Sequence, residues 1–228
     1  MATYLKKPII CFIGLDGSGK STSIEYACRK LNERGIRTEI VRAAYVIKLM
    51  SPFIKLGKKI LMKKDSNPYF GDYKAYLESM RRYSEKGVAY KIFSLITTAE
   101  FKCQIFFYVR LKHAFGATLL VDRYIYDNAV TCAANLGLGR AYMEKTVSKK
   151  WRRAPRPDLI IYIKTPVAVC CSRKDDIPNP LYLEIREPLY DEISQMYSAA
   201  VVSGAQEKQK MLDEVMRNIE GCLSWAEE

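Results

Sequence analysis

A glycine-rich stretch near the N-terminus has the residue types and the spacing of a phosphate-binding loop. It fits the pattern G-x-x-x-x-G-K-[ST] and continues with Thr22; its members are Gly14, Leu15, Asp16, Gly17, Ser18, Gly19, Lys20 and Ser21. Glycines let backbone N–H groups turn inward around phosphate oxygens, where a side chain would block them. Lys20 would bring a positive charge to the β- and γ-phosphates, and Ser21 would offer a hydroxyl to Mg²⁺. The stretch predicts a site for a nucleoside triphosphate.

A second group of chemically competent residues is Asp122-Arg123, directly after the apolar run 118–121. In open parallel sheets, ligands sit outside the carboxyl ends of the strands. A carboxylate at that position can hold Mg²⁺ through water, and the planar guanidinium of Arg123 can clamp a phosphate. Beside a phosphate-binding loop, this pair is a stronger candidate for binding than for a solvated ion pair.

The elements around these residues predict an α/β fold, a parallel β-sheet flanked by helices on both faces. Residues 8–13, 36–42, 118–121 and 158–163 read as strands, and 201–202 as a vestigial last strand. Lys20–Arg34 reads as a helix closed by Gly35, so that strand, loop, helix and strand form a βαβ unit. Further helices are predicted after Ser51-Pro52, over 88–115, from Pro166, and over about 182–199 and 206–224.

These motifs resemble the thymidylate kinase family of P-loop nucleoside monophosphate kinases. The resemblance is carried by Phe12-Ile-Gly-Leu-Asp16-Gly-Ser-Gly-Lys20-Ser-Thr22, by Asp122-Arg123-Tyr124 and by Asn128 four residues beyond the tyrosine. It extends over most of the chain and is most specific in the first strand and loop. It implies an enzyme that uses ATP and Mg²⁺, with Ser21 and Asp122 as the metal-side residues, and a cytoplasmic homodimer.

The resemblance also implies roles for individual residues in phosphoryl transfer. Asp16 would face the acceptor nucleotide, and Arg123 would bridge the acceptor and donor phosphates. Arg173 would supply positive charge from a mobile lid over about 173–183. Phosphoryl transfer depends on positioning and positive charge more than on covalent chemistry, so these assignments agree with the residue types.

Three departures from the family pattern fall on the acceptor side. Where many members have Arg-Glu-Pro-Gly, this chain has Arg42-Ala-Ala-Tyr45, so that only Arg42 can stand in. The long third helix usually presents an arginine to the acceptor phosphate, and Phe101 aligns there. The segment of about 43–87 is an elongated basic insertion. We therefore expect a nucleotide phosphotransferase whose first candidate acceptor is dTMP, with another acceptor as the alternative.

Five further residues are candidates for the acceptor site, although ordinary packing is the commoner role for such residue types. They are Phe70 and Tyr73 in the insertion, Gln104 and Tyr108 on the long helix, and Asn128. The amide of Gln104 could read a base and the ring of Tyr108 could stack on it. Phe70 and Tyr73 could line the acceptor pocket.

Composition and charge limit the other classes of function. The 228 residues are 49% hydrophobic and 27% charged, which fits one globular domain and excludes a disordered chain. No uninterrupted run of 18 apolar residues and no signal peptide is visible, so neither a membrane span nor secretion is predicted. Seven scattered cysteines and one histidine favour buried thiols in a reducing cytoplasm over a zinc site.

The net charge of +12 is concentrated between Arg42 and Lys112. A field of that sign attracts phosphates on nucleotides, membranes or nucleic acid. The lysine run at 48, 55, 58, 59, 63 and 64 is most simply a solvated face, with weak contact to anionic surfaces as an alternative. No nucleic-acid-binding motif is present, so nucleic-acid binding is a weaker hypothesis. The Asn-Lys-x-Asp motif that recognises guanine is also absent from the sequence, so a GTPase-type switch is weaker as well.

Overall fold

The structure, a computed structural model, describes residues 7–43, 72–85, 87–174, 177 and 179–224. Most of the predicted insertion lies outside these residues, including Phe70, the lysine run and the predicted helix start at Ser51-Pro52. Three positions of the predicted lid, 175, 176 and 178, also lie outside them.

Five parallel strands form one sheet in the order β2-β3-β1-β4-β5. They are β1 (Ile9–Ile13), β2 (Thr38–Arg42), β3 (Thr118–Asp122), β4 (Leu159–Lys164) and β5 (Ala200–Ser203). The predicted α/β class and all five strands are confirmed, and the short β5 is a full partner of β4. Asp122 is in register with Phe12 on one side and Arg42 on the other. The carboxyl ends of β1, β2 and β3 therefore meet at one edge of the sheet.

Ten α-helical segments complete the described part of the chain, and two π-helical segments extend two of them. The α-helices are α1 (Lys20–Glu33), α2 (Tyr73–Glu85), α3 (Val88–Gln104), α4 (Leu111–Ala114), α5 (Ile125–Leu136), α6 (Arg140–Lys145), α7 (Val167–Arg173), α8 (Pro180–Glu184), α9 (Glu187–Met196) and α10 (Lys208–Ser224). The π-helical segment Ile105–Arg110 joins α3 to α4, and Thr146–Lys150 extends α6.

Alternate strand residues build two hydrophobic layers, one on each face of the sheet. Ile10 and Phe12 of β1 pack in one layer with α1 and α10, whereas Ile9, Cys11 and Ile13 pack in the other with α3, α5 and α9. All five residues of β1 are buried, as expected for a parallel strand covered on both faces. The two layers hold the loop after β1 rigidly at the sheet edge.

The long helix predicted over 88–115 is present, but the apolar stripe that predicts it faces outward. Val88, Ile92 and Leu95 are 70%, 53% and 70% exposed. The buried side carries Phe101, Ile105 and Val109, which recur every four residues. Both sides of this helix are apolar, so periodicity predicts the helix without predicting which side enters the core.

By length and composition alone, the helical run Tyr90–Ala114 is apolar enough to cross a membrane. This finding differs from the prediction made from uninterrupted apolar runs. Lys and Glu residues interrupt the stretch, but its mean hydropathy remains high enough for a membrane span. Phe101 and Val109 are nevertheless core residues beneath the sheet. The run is therefore built into the folded domain along one side.

Two local predictions need correction. Asn67-Pro68 and Gly71 predict a loop over 65–73. Tyr73 instead begins α2, where Asp72 Oδ1 accepts a hydrogen bond of 2.8 Å from the Lys74 N–H. The single helix expected over about 182–199 is two helices, α8 and α9, because Pro188 at the start of α9 cannot continue the α8 hydrogen bonds.

The cysteines are less uniformly buried than predicted. All seven lie in the described part of the chain, and none is in a disulfide there. Cys11 and Cys170 are buried, and Cys103 is exposed on α3.

Candidate active site

The loop between β1 and α1 is held in a conformation that favours glycine, and Gly14, Gly17 and Gly19 all have positive φ. Gly14 has φ +142° and Gly17 has φ +83°, both in the region that disfavours other residues. A Cβ on Gly14 would lie 2.6 Å from the Ile163 carbonyl oxygen, and one on Gly17 would lie 2.6 Å from that of Cys170. The loop therefore packs directly against β4 and α7, and α1 begins at Lys20 with its N-terminus at the cleft.

Lys20 is the buried cation of this loop, with only 6% of its surface exposed. Its Nζ donates hydrogen bonds to the carbonyl oxygens of Gly14, at 2.9 Å, and of Leu15. Burial, together with the nearby positive charge of Arg123, lowers the pKa of Lys20 to about 8. An anion close to Nζ would offset both effects, so this ammonium is arranged to gain from a bound phosphate.

Arg123 lies at the centre of a carboxylate network at the end of β3. Its guanidinium pairs with Asp16 of the loop and with Asp127 of α5, the latter at 2.8 Å. Asp127 raises the pKa of Arg123 well above its usual value, against the opposing effect of burial. Burial would raise the pKa of Asp16, but Arg123 and Lys20 outweigh it and the net shift is downward. Both groups therefore remain charged.

The backbone of Arg123 is also unusual, because its φ of +59° lies in the left-handed region. A non-glycine residue there costs about 1–3 kcal/mol and persists only where the surroundings impose it. This conformation turns the guanidinium back over the phosphate-binding loop.

Asp122 carries the feature that best fits a divalent cation. Its Oδ1 is buried and has no hydrogen-bond partner among the described residues. Asp122 and Ser21 line the same cleft. No cluster of three or more His, Cys, Asp or Glu side chains able to hold a metal occurs among the described residues. This donor set suits Mg²⁺, which is commonly bound by one or two protein oxygens together with substrate phosphates and water.

The cleft itself has a volume of about 470 Å³ and is walled by three segments. The predicted loop residues Asp16 to Thr22 form its floor together with Asp122 and Arg123. Arg173 and Lys174 close one side, and Arg173 Nη1 donates to the Gly204 carbonyl oxygen at 3.0 Å. Gln206, Lys208 and Met211 also line the cleft. The structure thus brings together Asp16, Lys20, Arg123 and Arg173, the four predicted catalytic residues.

The loop after β5 belongs to this cleft because Gly204 allows it to approach. The Thr165 hydroxyl donates to the Ser18 carbonyl oxygen at 3.0 Å. A Cβ on Gly204 would lie 2.0 Å from Thr165 Oγ1 and 2.6 Å from the Ser18 carbonyl oxygen. Sequence reasoning left this loop unassigned, and a glycine immediately after a strand was the available signal.

A cluster of tyrosines surrounds the Asp16 and Arg123 side of the cleft. Tyr182 donates to Asp16 Oδ2 at 3.4 Å, and Tyr190 donates to Asp127. Arg186 is buried and donates to the Tyr73 hydroxyl at 2.8 Å, with its guanidinium 3.7 Å from the centre of the Tyr182 ring. Tyr73, an acceptor-site candidate, packs edge-on against the Tyr182 ring, with ring centres 5.7 Å apart.

The other acceptor candidates lie outside the residues that line the cleft. Arg42 ends β2 in register with Asp122 and is exposed. Gln104 is half-buried and Tyr108 is 46% exposed on the long helix. Asn128 Oδ1 accepts a hydrogen bond of 3.2 Å from Trp151 Nε1. Their roles at the acceptor remain predictions.

Sequence reasoning missed several residues of the site. Asp127 lies on α5, Arg186 directly precedes α9, Tyr190 lies on α9, and Gln206 and Lys208 belong to the last loop and helix. Asp127 could have been found, since it lies one helical turn beyond Arg123. The remaining four carry no local motif.

The parallel sheet and the glycine-rich loop at its carboxyl edge define an α/β fold consistent with a P-loop kinase. The chain is similar to the thymidylate kinase of Leptospira borgpetersenii serovar Hardjo-bovis, with 26% identity over 177 residues that cover 74% of this chain and 69% of the relative. No protein-family model matches the sequence. The similarity and the fold together support a nucleotide kinase.

Proposed function

We propose that this protein transfers the γ-phosphoryl group of ATP to a nucleoside monophosphate, with dTMP as the first candidate. The observation that supports it most is the convergence of Lys20, Arg123 and Arg173 on one cleft that also contains the orphaned oxygen of Asp122. The three side chains supply the positive charge that phosphoryl transfer requires, and Asp122 would hold the Mg²⁺ that adds to it. The similarity to a thymidylate kinase supports the choice of a nucleotide acceptor.

The proposed reaction uses the protein for positioning and charge. A phosphate oxygen of the acceptor attacks the γ-phosphorus, the bond from that phosphorus to the β–γ bridging oxygen breaks, and ADP leaves. Lys20 neutralises the β- and γ-phosphates, and Arg123 holds the acceptor phosphate in line with the γ-phosphate. Ser21 and Asp122 would hold Mg²⁺, which supplies charge neutralisation on the transferring group.

Arg123 would have to exchange partners during this reaction. In the structure it is paired with Asp16 and Asp127. Binding of an acceptor phosphate would compete with Asp16, which contacts both Arg123 and Tyr182. The network keeps the guanidinium oriented until a phosphate arrives.

One specific contact supports an acceptor other than dTMP. Phe101, at the position where the family resemblance expects an arginine, is 1% exposed and packs edge-on against Trp151 with ring centres 5.0 Å apart. A phosphate therefore receives no charge from that position. ADP release should be measured with Mg-ATP and each of dTMP, dUMP, UMP, CMP, AMP, GMP and thymidine. Turnover highest with dTMP supports the proposal, and a preference for another compound reassigns the acceptor.

A further inference from the structure

Arg186, between α8 and α9, is a buried cation whose described partners are all neutral. It is 5% exposed, and no salt bridge joins it to a described carboxylate. Its Nη1 donates to the Tyr73 hydroxyl at 2.8 Å and to the Tyr182 carbonyl oxygen at 2.9 Å, and its Nη2 donates to Asn135 Oδ1 at 3.3 Å. Its Nε has no hydrogen-bond partner among the described residues. Burying a charge without a counter-charge costs free energy, so packing alone does not account for this arginine.

The guanidinium of Arg186 contacts both the ring and the backbone of Tyr182. It lies over the ring face, 3.7 Å from the ring centre, and it also binds the carbonyl oxygen of the same residue. Tyr73, whose hydroxyl accepts from Arg186, packs edge-on against the same ring. Tyr182 belongs to α8, whose five residues are too few to form a stable helix without tertiary contacts. The orientation of the Tyr182 side chain therefore depends on Arg186.

The hydroxyl of Tyr182 connects this arginine to the phosphate-binding loop. Burial raises the pKa of Tyr182 to about 12, so the hydroxyl keeps its proton at neutral pH and donates to Asp16 Oδ2 at 3.4 Å. The other oxygen of Asp16 is paired with Arg123. A hydrogen bond of 3.4 Å is long, and contacts of this kind commonly shorten when a substrate binds. Tyr182 can therefore retain Asp16 when Arg123 releases it.

We infer that Arg186 is a positioning residue for the acceptor phosphate, an inference that rests on the proposed function. It holds Tyr182 in place, so that the tyrosine retains Asp16 while Arg123 turns to the phosphate. A carboxylate left free beside an incoming phosphate would repel it, and the hydrogen bond from Tyr182 reduces that repulsion. Without Arg186, Asp16 would stay on Arg123 and the acceptor would bind more weakly. ATP binding should change little, because Lys20 and the loop glycines are intact.

The test is a double-mutant cycle between Tyr182 and Arg186, with ADP release measured against dTMP or the panel compound that the wild type turns over fastest. Arg186→Met and Tyr182→Phe should each raise the acceptor KM about tenfold, the size expected for a hydrogen bond to a charged group. Both should change kcat, and the calorimetric Kd for ATP, by less than about threefold. The double variant should lose no more than Tyr182→Phe alone, because Arg186 acts through the hydroxyl that is already absent. The matched control is Arg29→Met with Tyr26→Phe, a cation–ring pair on α1 that should leave all three constants unchanged.

Thermal unfolding shows whether each variant is folded, and Arg186→Gln replaces Arg186→Met in the cycle if the methionine variant does not fold. An unchanged acceptor KM in a folded variant of either residue would overturn the inference and leave the kinase proposal intact. So would two losses that multiply in the double variant, or a Kd for ATP that rises as much as the acceptor KM, since either result describes a purely structural arginine. No turnover by the wild type with any compound of the panel would overturn the kinase proposal and this inference together.

Discussion

Arg123 Nη1 donates a hydrogen bond of 2.8 Å to Asp127 Oδ1, one helical turn further along the chain. Tyr190 donates to the same oxygen from α9. The guanidinium is therefore oriented by a buried carboxylate that is itself fixed by a third element. In the proposed reaction this arrangement would hold Arg123 in position for a phosphate, and we therefore expect its contribution to exceed that of a surface arginine.

Replacing Arg123 by Ala should lower the rate of phosphoryl transfer at least tenfold, equivalent to about 1.4 kcal/mol of barrier. The reason is the loss of positive charge between the two phosphates. Steady-state ADP release measures the effect, and Arg140→Ala, which removes an exposed arginine at the start of α6, is the matched control. An unchanged rate in a folded Arg123→Ala variant would make this arginine structural.

Lys20→Ala should abolish transfer while the fold is retained, because the variant keeps the glycines whose positive φ shapes the loop. Lys30→Ala, on the exposed side of the same helix, should keep full activity. Circular dichroism checks the fold of both variants. A folded and fully active Lys20→Ala protein would contradict the assignment of the site.

The depressed pKa of Lys20 predicts that ATP binding depends on pH. Without nucleotide, the ammonium loses its proton as the pH rises through about 8. Since the phosphates favour the charged form, binding should take up almost no proton at pH 7 and close to one at pH 9. Calorimetry in two buffers of different ionisation enthalpy counts these protons. Proton uptake that does not change between pH 7 and pH 9 would show that Lys20 stays charged in the free protein.

Much of this site could be predicted from the sequence because its main parts are local. The loop from Gly14 to Ser21 and the pair Asp122-Arg123 each follow a buried strand, so their positions follow from the parallel sheet. The contacts of Tyr190 with Asp127 and of Tyr182 with Asp16 join residues 63 and 166 positions apart. No spacing rule reports such pairs, because they depend on how α8 and α9 pack on the sheet.

A second limit of prediction from the sequence concerns which side of the long helix is buried. Both sides carry apolar residues at helical spacings of three or four, Val88, Ile92 and Leu95 on one side and Phe101, Ile105 and Val109 on the other. Periodicity reports an apolar side but does not state which neighbour covers it. The insertion before this helix lies largely outside the described residues, so the predicted roles of Phe70 and of the lysine run remain predictions.

Asp122→Asn should separate stability from activity. The carboxylate oxygen Oδ1 is buried without a described partner, and burying an unpaired charge costs free energy, so removing the charge should not lower the free energy of unfolding. The Mg²⁺ concentration for half-maximal turnover should rise about tenfold or more. Asp213→Asn on the exposed side of α10 is the control. An unchanged Mg²⁺ requirement would remove Asp122 from the metal side.

Gly204→Ala should destabilise the protein by about 1–3 kcal/mol and weaken ATP binding, because the added methyl group meets Thr165 and the Ser18 backbone. Gly139→Ala places its methyl group in open space and should change neither property by comparison. Thermal unfolding and ATP titration measure both. If the two variants had equal stability and equal ATP affinity, the loop after β5 would accommodate the methyl group and would not shape the cleft.

The central claim is tested most directly by identifying the phosphorylated product. The wild-type protein and Lys20→Ala should be incubated with dTMP, Mg²⁺ and ATP labelled in the γ-phosphate, and the nucleotides separated by ion-exchange chromatography. The account predicts labelled dTDP, formed in equal amount to ADP by the wild type and absent with the variant. ADP formed with the label released as inorganic phosphate, or no turnover with any nucleoside monophosphate although ATP binds, would contradict it.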